Sequence, residues 1–114
     1  MSDCLFCKMV VGDIPADIIY ENDDVMAFRD INPQAPTHVL VIPKKHVPTI
    51  NDIGIDDDAL VGKLYLAAAD VAKQEGIADS GYRCVMNCNG DAQQTVFHIH
   101  LHMIGGRKMN WPPG

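Results

Sequence analysis

Residues 97–103 read Phe-His-Ile-His-Leu-His-Met. Imidazole is the side chain best suited to move protons, attack phosphorus or hold a metal near neutral pH. Here apolar and imidazole residues alternate strictly. Successive side chains of a strand point to opposite faces, so Phe97, Ile99, Leu101 and Met103 are expected on a core face and His98, His100 and His102 on the other. A merely solvated face would be served equally well by Thr, Lys or Glu. A single ion shared by all three rings fits poorly. At about 3.3 Å per residue, His98 and His102 start about 13 Å apart, too far to converge on Zn–N bonds of about 2.0–2.1 Å. A non-haem iron site takes two histidines and a carboxylate, and Asp30 or Asp91 would have to fold in to supply it. The remaining reading divides the work: a central nucleophile with a neighbour on either side for phosphate contact or orientation. The loop before it, 91–95, offers backbone N–H groups and the Thr95 hydroxyl to an anion. That set suits attack on phosphorus.

Two further histidines, His38 and His46, and the pair Cys4-x-x-Cys7 complete the reactive inventory. Cys4 and Cys7 read as a metal half-site or a redox pair; Cys84 and Cys88 lie in an apolar stretch and read as core. The N-terminal sequence MSDCLFCKMV has no basic leader and no long apolar segment, so a cytoplasmic protein with reduced thiols is expected. No apolar run approaches the roughly 20 residues that span a bilayer, and no membrane association is expected. Nine Lys and Arg against fifteen Asp and Glu give a net charge of −6 over 114 residues. Binding to DNA or RNA through a basic face is not expected, whereas a local pocket for one phosphate group remains open.

The elements that must position these groups fit one domain over residues 1–114. A short helix is expected at 5–11. Strands at 17–21 and 25–29 flank a hairpin turn at Asn22-Asp23-Asp24, whose residues tolerate left-handed backbone. A loop at 31–36 precedes a strand at 37–42 that Pro43 stops. One long helix is expected from Asp56 to Glu75. An acid caps its start, Leu60, Leu64, Ala67, Ala68 and Val71 form its core face, and Gly76 ends it. Strands at 81–87 and 96–104 enclose a polar loop at 87–94. Strands in hairpin order around one main helix argue an α+β fold with a mostly antiparallel sheet covered on one face.

His98-Ile-His100-Leu-His102-Met resembles the signature of the HIT (histidine triad) superfamily. Asp30-Ile-Asn-Pro-Gln-Ala-Pro-Thr-His38, Val41-Ile-Pro-Lys-Lys-His46 and the tail Gly105-Gly-Arg-Lys-Met-Asn-Trp-Pro-Pro-Gly114 resemble the Hint branch of it. The resemblance covers nearly the whole chain. It implies a purine nucleoside phosphoramidate hydrolase with no organic cofactor. His100 would form a nucleotidyl-histidine, and a nucleoside 5′-monophosphate and an amine would leave. His102 matches the phosphate contact, His38 the supporting histidine of the neighbouring strand, and Asp30 the acceptor of the ribose hydroxyls. Phe6, Phe28 and Ile31 match the base pocket. Asn87, Gln94, Thr95 and Val96 also fall at nucleotide-site positions, Thr95 as a hydroxyl for the phosphate or leaving nitrogen. The resemblance further implies a homodimer that continues the sheet, with Trp111 of the 105–114 tail completing the partner's active-site rim.

Two features depart from the Hint pattern. Gln93-Gln94-Thr95 stands where Gly-Gln-Ser is common, which bears on rate and leaving-group preference. Cys4-x-x-Cys7 occurs in HIT relatives that bind zinc, and the resemblance implies a structural Zn²⁺ held by Cys4, Cys7, His46 and His98. A nucleotide-binding interaction module and a dinucleoside polyphosphate hydrolase are the competing readings.

Overall fold

The structure, a computed structural model, describes residues 3–114. Helix α1 (Leu5–Val10) leads into strands β1 (Ile18–Glu21), β2 (Val25–Arg29) and β3 (Thr37–Pro43). Helix α2 (Asp58–Gln74) follows two single 3-10 turns, and strands β4 (Tyr82–Val85) and β5 (Leu101–Gly105) close the chain. All strand pairs are antiparallel, in the order β1-β2-β3-β5-β4. The α+β architecture expected from the sequence is therefore the one observed.

Alternation explains one half of the packing. Val25, Ala27, Val39, Val41, Leu101 and Met103 face α2, whose Leu64, Ala67, Ala68, Val71 and Ala72 fill the core between them. Leu60 is only half-buried. The sheet is not covered on one face alone, however. Met26, Phe28, Leu40 and Ile42 form a second apolar layer on the opposite face, closed by Phe6 of α1. This is why all seven residues of β3 are buried. A strand apolar on both sides reads as continuous hydrophobicity, the mark of a doubly covered strand.

Three local expectations are corrected. The last strand starts at Leu101, not Val96. Pro43 at the end of β3 has no N–H for the ladder, and Ile99 N–H instead donates to Val47 O at 2.8 Å. Upstream of Ile99 the alternation no longer governs, and Phe97 is 48% exposed rather than in the core. The start of α2 is organised differently too. The helix begins at Asp58, whose Oδ1 accepts from Ala59 N–H at 2.7 Å, and the N-cap residue Asp57 gives the helix no side-chain bond. The Asp57 carboxylate accepts from Gly54 N–H at 2.9 Å and from Lys45 Nζ at 2.6 Å. The Lys45 ammonium, with the Gly54 bond, holds that carboxyl below its usual range. At the first hairpin, Asn22 works through its side chain: Oδ1 accepts from Asp24 N–H and Val25 N–H, an Asx turn without left-handed backbone. Gly76 does take the left-handed position past α2, at φ 75°.

Candidate active site and metal centre

Register brings the reactive groups together. Phe28 pairs with Leu40, Leu40 with His102 and His102 with Val85, so these four side chains form one row across the face that carries α1. One row over, His38 pairs with Ile104, and Asp30 N–H extends the ladder by donating to His38 O at 3.0 Å. Asp30, His38 and His102 converge although 72 residues separate the first from the last.

The partners of each ring assign its tautomer. Gln34 N–H donates to His38 Nδ1 at 3.0 Å, which leaves the proton of the neutral ring on Nε2. That Nε2 lies 2.9 Å from His102 Nδ1 and 3.3 Å from Asp30 Oδ2. It therefore donates to His102, and neutral His102 keeps its own proton on Nε2. His100 Nδ1 lies 2.8 Å from the His98 carbonyl, which can only accept, so His100 Nε2 carries a lone pair. Phe6 stands edge-on to the His100 ring with centroids 5.1 Å apart. The result is one imidazole with an Nε2 lone pair beside another whose Nε2 carries a proton.

Electrostatics keep these rings neutral. Burial pushes the His38 and His100 pKa values down, opposed at His38 by the Asp30 charge and at His100 first by the bond to the His98 carbonyl and then by Asp30. His102 is pulled to about 4, first by burial and then by the neighbouring His100 and His38. This has a sign for stability. An unfolded histidine takes its proton near 6.5, before folded His102 does. The stability is fully present above pH 6.5 and is lost as pH falls from there toward about 4. At about 1.4 kcal/mol per unit, the full shift from 6.5 to about 4 corresponds to about 3.5 kcal/mol. Urea midpoints measured at pH 7.5 and 4.5 are expected to differ in that direction; a His102→Asn variant should show a visibly flatter dependence.

A cavity of about 320 Å³ opens over this surface, lined by Phe6, Phe28, Asp30, Ile31, His100 and His102 among others. Thr95 and Val96 line its rim, while Leu5, Met9, Pro15, Ala16, Arg29 and Leu40 add walls that sequence reasoning did not single out. Of these, Leu40 was readable: it lies two residues from His38 on the same strand face. Asn87, half-buried at the end of β4, is not among the lining residues. Gln94 is buried and builds the loop instead of reaching the cavity. Its Oε1 accepts from Asn89 N–H, and its Nε2 donates to Pro48 O and Val96 O. Trp111 is 80% exposed and outside the cavity; Arg83 holds it, donating to Asn110 O and lying 5.8 Å over the indole.

Gln93 occupies a left-handed backbone position, φ 61°. Only glycine adopts it without steric cost, which gives a physical reason for a glycine there in similar chains. Gln93→Gly is expected to hold or raise stability by up to about 1 kcal/mol, and the β-branched Gln93→Val to lower it by about 1–2 kcal/mol. Thermal midpoints of the two variants, moving to opposite sides of wild type, check this.

His98 belongs to a different centre. It is fully buried, and its Nε2–H donates to Pro43 O at 2.7 Å, which turns the Nδ1 lone pair toward Cys4 Sγ at 3.3 Å and Cys7 Sγ at 3.5 Å. His46 Nδ1 lies 3.3 Å from Cys7 Sγ and 3.3 Å from His98 Nδ1. Two imidazoles bound tetrahedrally at about 2.05 Å stand about 3.3 Å apart at nitrogen and about 5.2 Å apart at the ring centres. The observed values are 3.3 Å and 5.2 Å. The donor set Cys₂His₂, with a carbonyl behind one imidazole, fits a closed structural site. Asp30, His38 and His102 also lie close enough to be considered as ligands. Their geometry differs: His38 and His102 are 2.9 Å apart at nitrogen and 5.2 Å at the ring centres. That separation is about the nitrogen gap plus a ring radius on each side, so the nitrogens face one another in a hydrogen bond and do not converge on a third point.

The family profile described as HIT domain matches residues 11–109. The chain belongs to the HIT domain family. Among HIT relatives, the purine nucleoside phosphoramidase of Escherichia coli (strain K12) is 48% identical over 107 residues, 94% of this chain and 90% of that protein. A HIT family hydrolase from Legionella pneumophila superposes with a TM-score of 0.96 at 53% identity, covering 98% of this chain and 100% of that one. A histidine triad protein from Clostridium difficile gives 0.93 at 40% identity over 96% of both.

Proposed function

We propose that this HIT protein hydrolyses purine nucleoside 5′-phosphoramidates through a nucleotidyl-histidine at His100. The observation that carries the reading is the fixed tautomer of His100, whose free lone pair faces a cavity that also holds a donor imidazole. The His100 Nε2 lone pair attacks the α-phosphorus, the P–N bond breaks, and the amine departs with a proton for which Thr95 is the nearest hydroxyl donor on the rim. His102 Nε2–H donates to a phosphate oxygen, and His38 holds His102 in that tautomer. Water then adds its hydroxyl to phosphorus as the phosphorus–histidine bond breaks, its other proton replaces the one Thr95 gave to the amine, and the nucleoside monophosphate leaves. Phe6, Phe28 and Ile31 sandwich the base. Asp30 Oδ1 accepts from Asn32 N–H and Oδ2 lies 3.3 Å from His38 Nε2, and each oxygen retains acceptor capacity, which suits two ribose hydroxyls.

The E. coli relative's name supports the substrate class. Chemistry on dinucleoside polyphosphates remains the competitor, and kinetics on the two substrates side by side decide. A kcat/KM at least tenfold higher for adenosine 5′-phosphoramidate than for diadenosine polyphosphate is expected; the reverse order would refute the assignment.

The same reading gives one domain over residues 1–114 working in the cytoplasm. No helix among the described residues is long and apolar enough to cross a membrane. It also gives a homodimer. In its support, β4 is an edge strand, α2 exposes Tyr65 and Leu66, and Trp111 is presented away from its own cavity. A structural zinc held by Cys4, Cys7, His46 and His98 would fasten α1 to the sheet and take no part in the chemistry on phosphorus.

A further inference from the structure

Helix α1 touches both centres. Cys4 and Cys7 bracket one helical turn, and Phe6 lies between them in sequence. Its ring is 3% exposed and stands edge-on to two imidazoles, His98 at 5.8 Å and His100 at 5.1 Å. The other link is covalent. His98 offers Nδ1 to the cysteine sulfurs, gives its Nε2 proton to Pro43 O, and accepts the His100 Nδ1 proton on its own carbonyl. A residue held at three points leaves its carbonyl little freedom, and that carbonyl sets which nitrogen of His100 is free.

We propose that the Cys4–Cys7–His46–His98 cluster, when it holds a divalent transition metal, is a positioning device for the active site: it seats Phe6 and the His98 carbonyl against His100, so that metal and purine mononucleotide bind cooperatively. This rests on the metal and nucleotide readings above and adds the coupling between them. Phe6 is the main carrier. It also packs edge-on against Phe28 at 5.4 Å, so it is a wall of the cavity and a neighbour of the cluster at once. Without the ion, α1 is a helix of six residues, and an isolated helix that short has little stability of its own. Its packing on the sheet then has to hold the cavity wall unaided. With the ion, α1 is clamped at both ends of the Phe6 turn. Part of the ordering that nucleotide binding requires is then already done, and the nucleotide binds more tightly.

Linkage makes the idea testable, because the factor by which metal tightens nucleotide must equal the factor by which nucleotide tightens metal. Affinities of AMP are measured with zinc-loaded and chelator-stripped protein, and zinc affinity by competition with and without saturating AMP. The temperature is one at which the stripped protein is fully folded by circular dichroism. Both factors are expected to agree at about tenfold. In Phe6→Leu, zinc affinity without AMP should persist while both factors fall toward one. A factor within twofold of one in the folded wild type would overturn the coupling. So would a full factor in Phe6→Leu. A chain that takes up no zinc would overturn the clamp while leaving AMP binding intact. Failure of both forms to bind AMP would sink the functional reading, and the proposal with it.

Discussion

His100→Ala is expected to lower phosphoramidate turnover by at least about four orders of magnitude, which is about 5.4 kcal/mol of lost transition-state stabilisation. The size follows from the kind of group removed. A positioning residue can be partly replaced by water, but a nucleophile that forms a covalent intermediate cannot, and deleting one commonly removes most of the rate advantage. No other ring in the cavity is prepared for the role: His38 has its lone pair engaged by Gln34 N–H, and His102 has its own engaged by His38. Binding should survive. The Phe28 wall and the Asp30 carboxylate do not rest on the deleted ring, and Phe6 keeps its edge-on packing against Phe28, so AMP affinity is expected within about threefold of wild type. The variant orphans the His98 carbonyl and leaves a gap beside Phe6, which costs about 1–3 kcal/mol of stability. Turnover and AMP titration on the same folded sample separate these effects. Turnover within tenfold of wild type would refute the nucleophile assignment; unchanged AMP binding with negligible turnover of phosphoramidate by the wild type would favour a binding module.

How much of this was legible beforehand depends on the range of the interaction. Alternation at 99–103 correctly puts Ile99, Leu101 and Met103 in the core and His100 and His102 opposite, because period-two order is local. The same rule fails at Phe97 and mislabels His98 as a member of one histidine row, because Pro43 interrupts the ladder there. Nothing local to residues 96–100 reveals that. The junction of Asp30, His38 and His102 depends on the register of β3 against β5, a non-local choice that spacing does not encode. The resemblance pointed to those residues; the ladder supplies the reason they meet. The second apolar layer was concealed by the reading of β2 and β3 as half-buried, although their runs VMAF and VLVI are apolar without interruption. Gln94, a site position by resemblance, uses its side chain to brace the loop, through partners as distant as Pro48 O that spacing does not reveal.

Stripping metal from the protein, or Cys7→Ser, is expected to lower the thermal midpoint by about 15 °C. An ion at free concentration 1,000 times its dissociation constant contributes about 4 kcal/mol, and a domain of this size shifts by about 4 °C per kcal/mol. The ligand cluster has a further reason to need a cation. Two sulfurs and two imidazole nitrogens all lie within 4.8 Å of one another, with four of the pairs at 3.3–3.5 Å, and the fully buried His98 is held neutral chiefly by burial. Acceptor atoms crowded this closely must either share protons or share an ion. The loss should be confined. The layer between α2 and the sheet, centred on Leu64, Val71 and Leu101, does not involve the cluster, so the stripped chain should stay folded there. Hydrogen exchange should therefore accelerate at residues 5–10 and along 96–99, while amides of α2 remain protected. A midpoint that ignores chelator, in protein purified with zinc and containing none by elemental analysis, would show that the Cys4-Cys7 segment is held by packing alone. Uniform acceleration of exchange across α2 would refute the local clamp even if the midpoint fell.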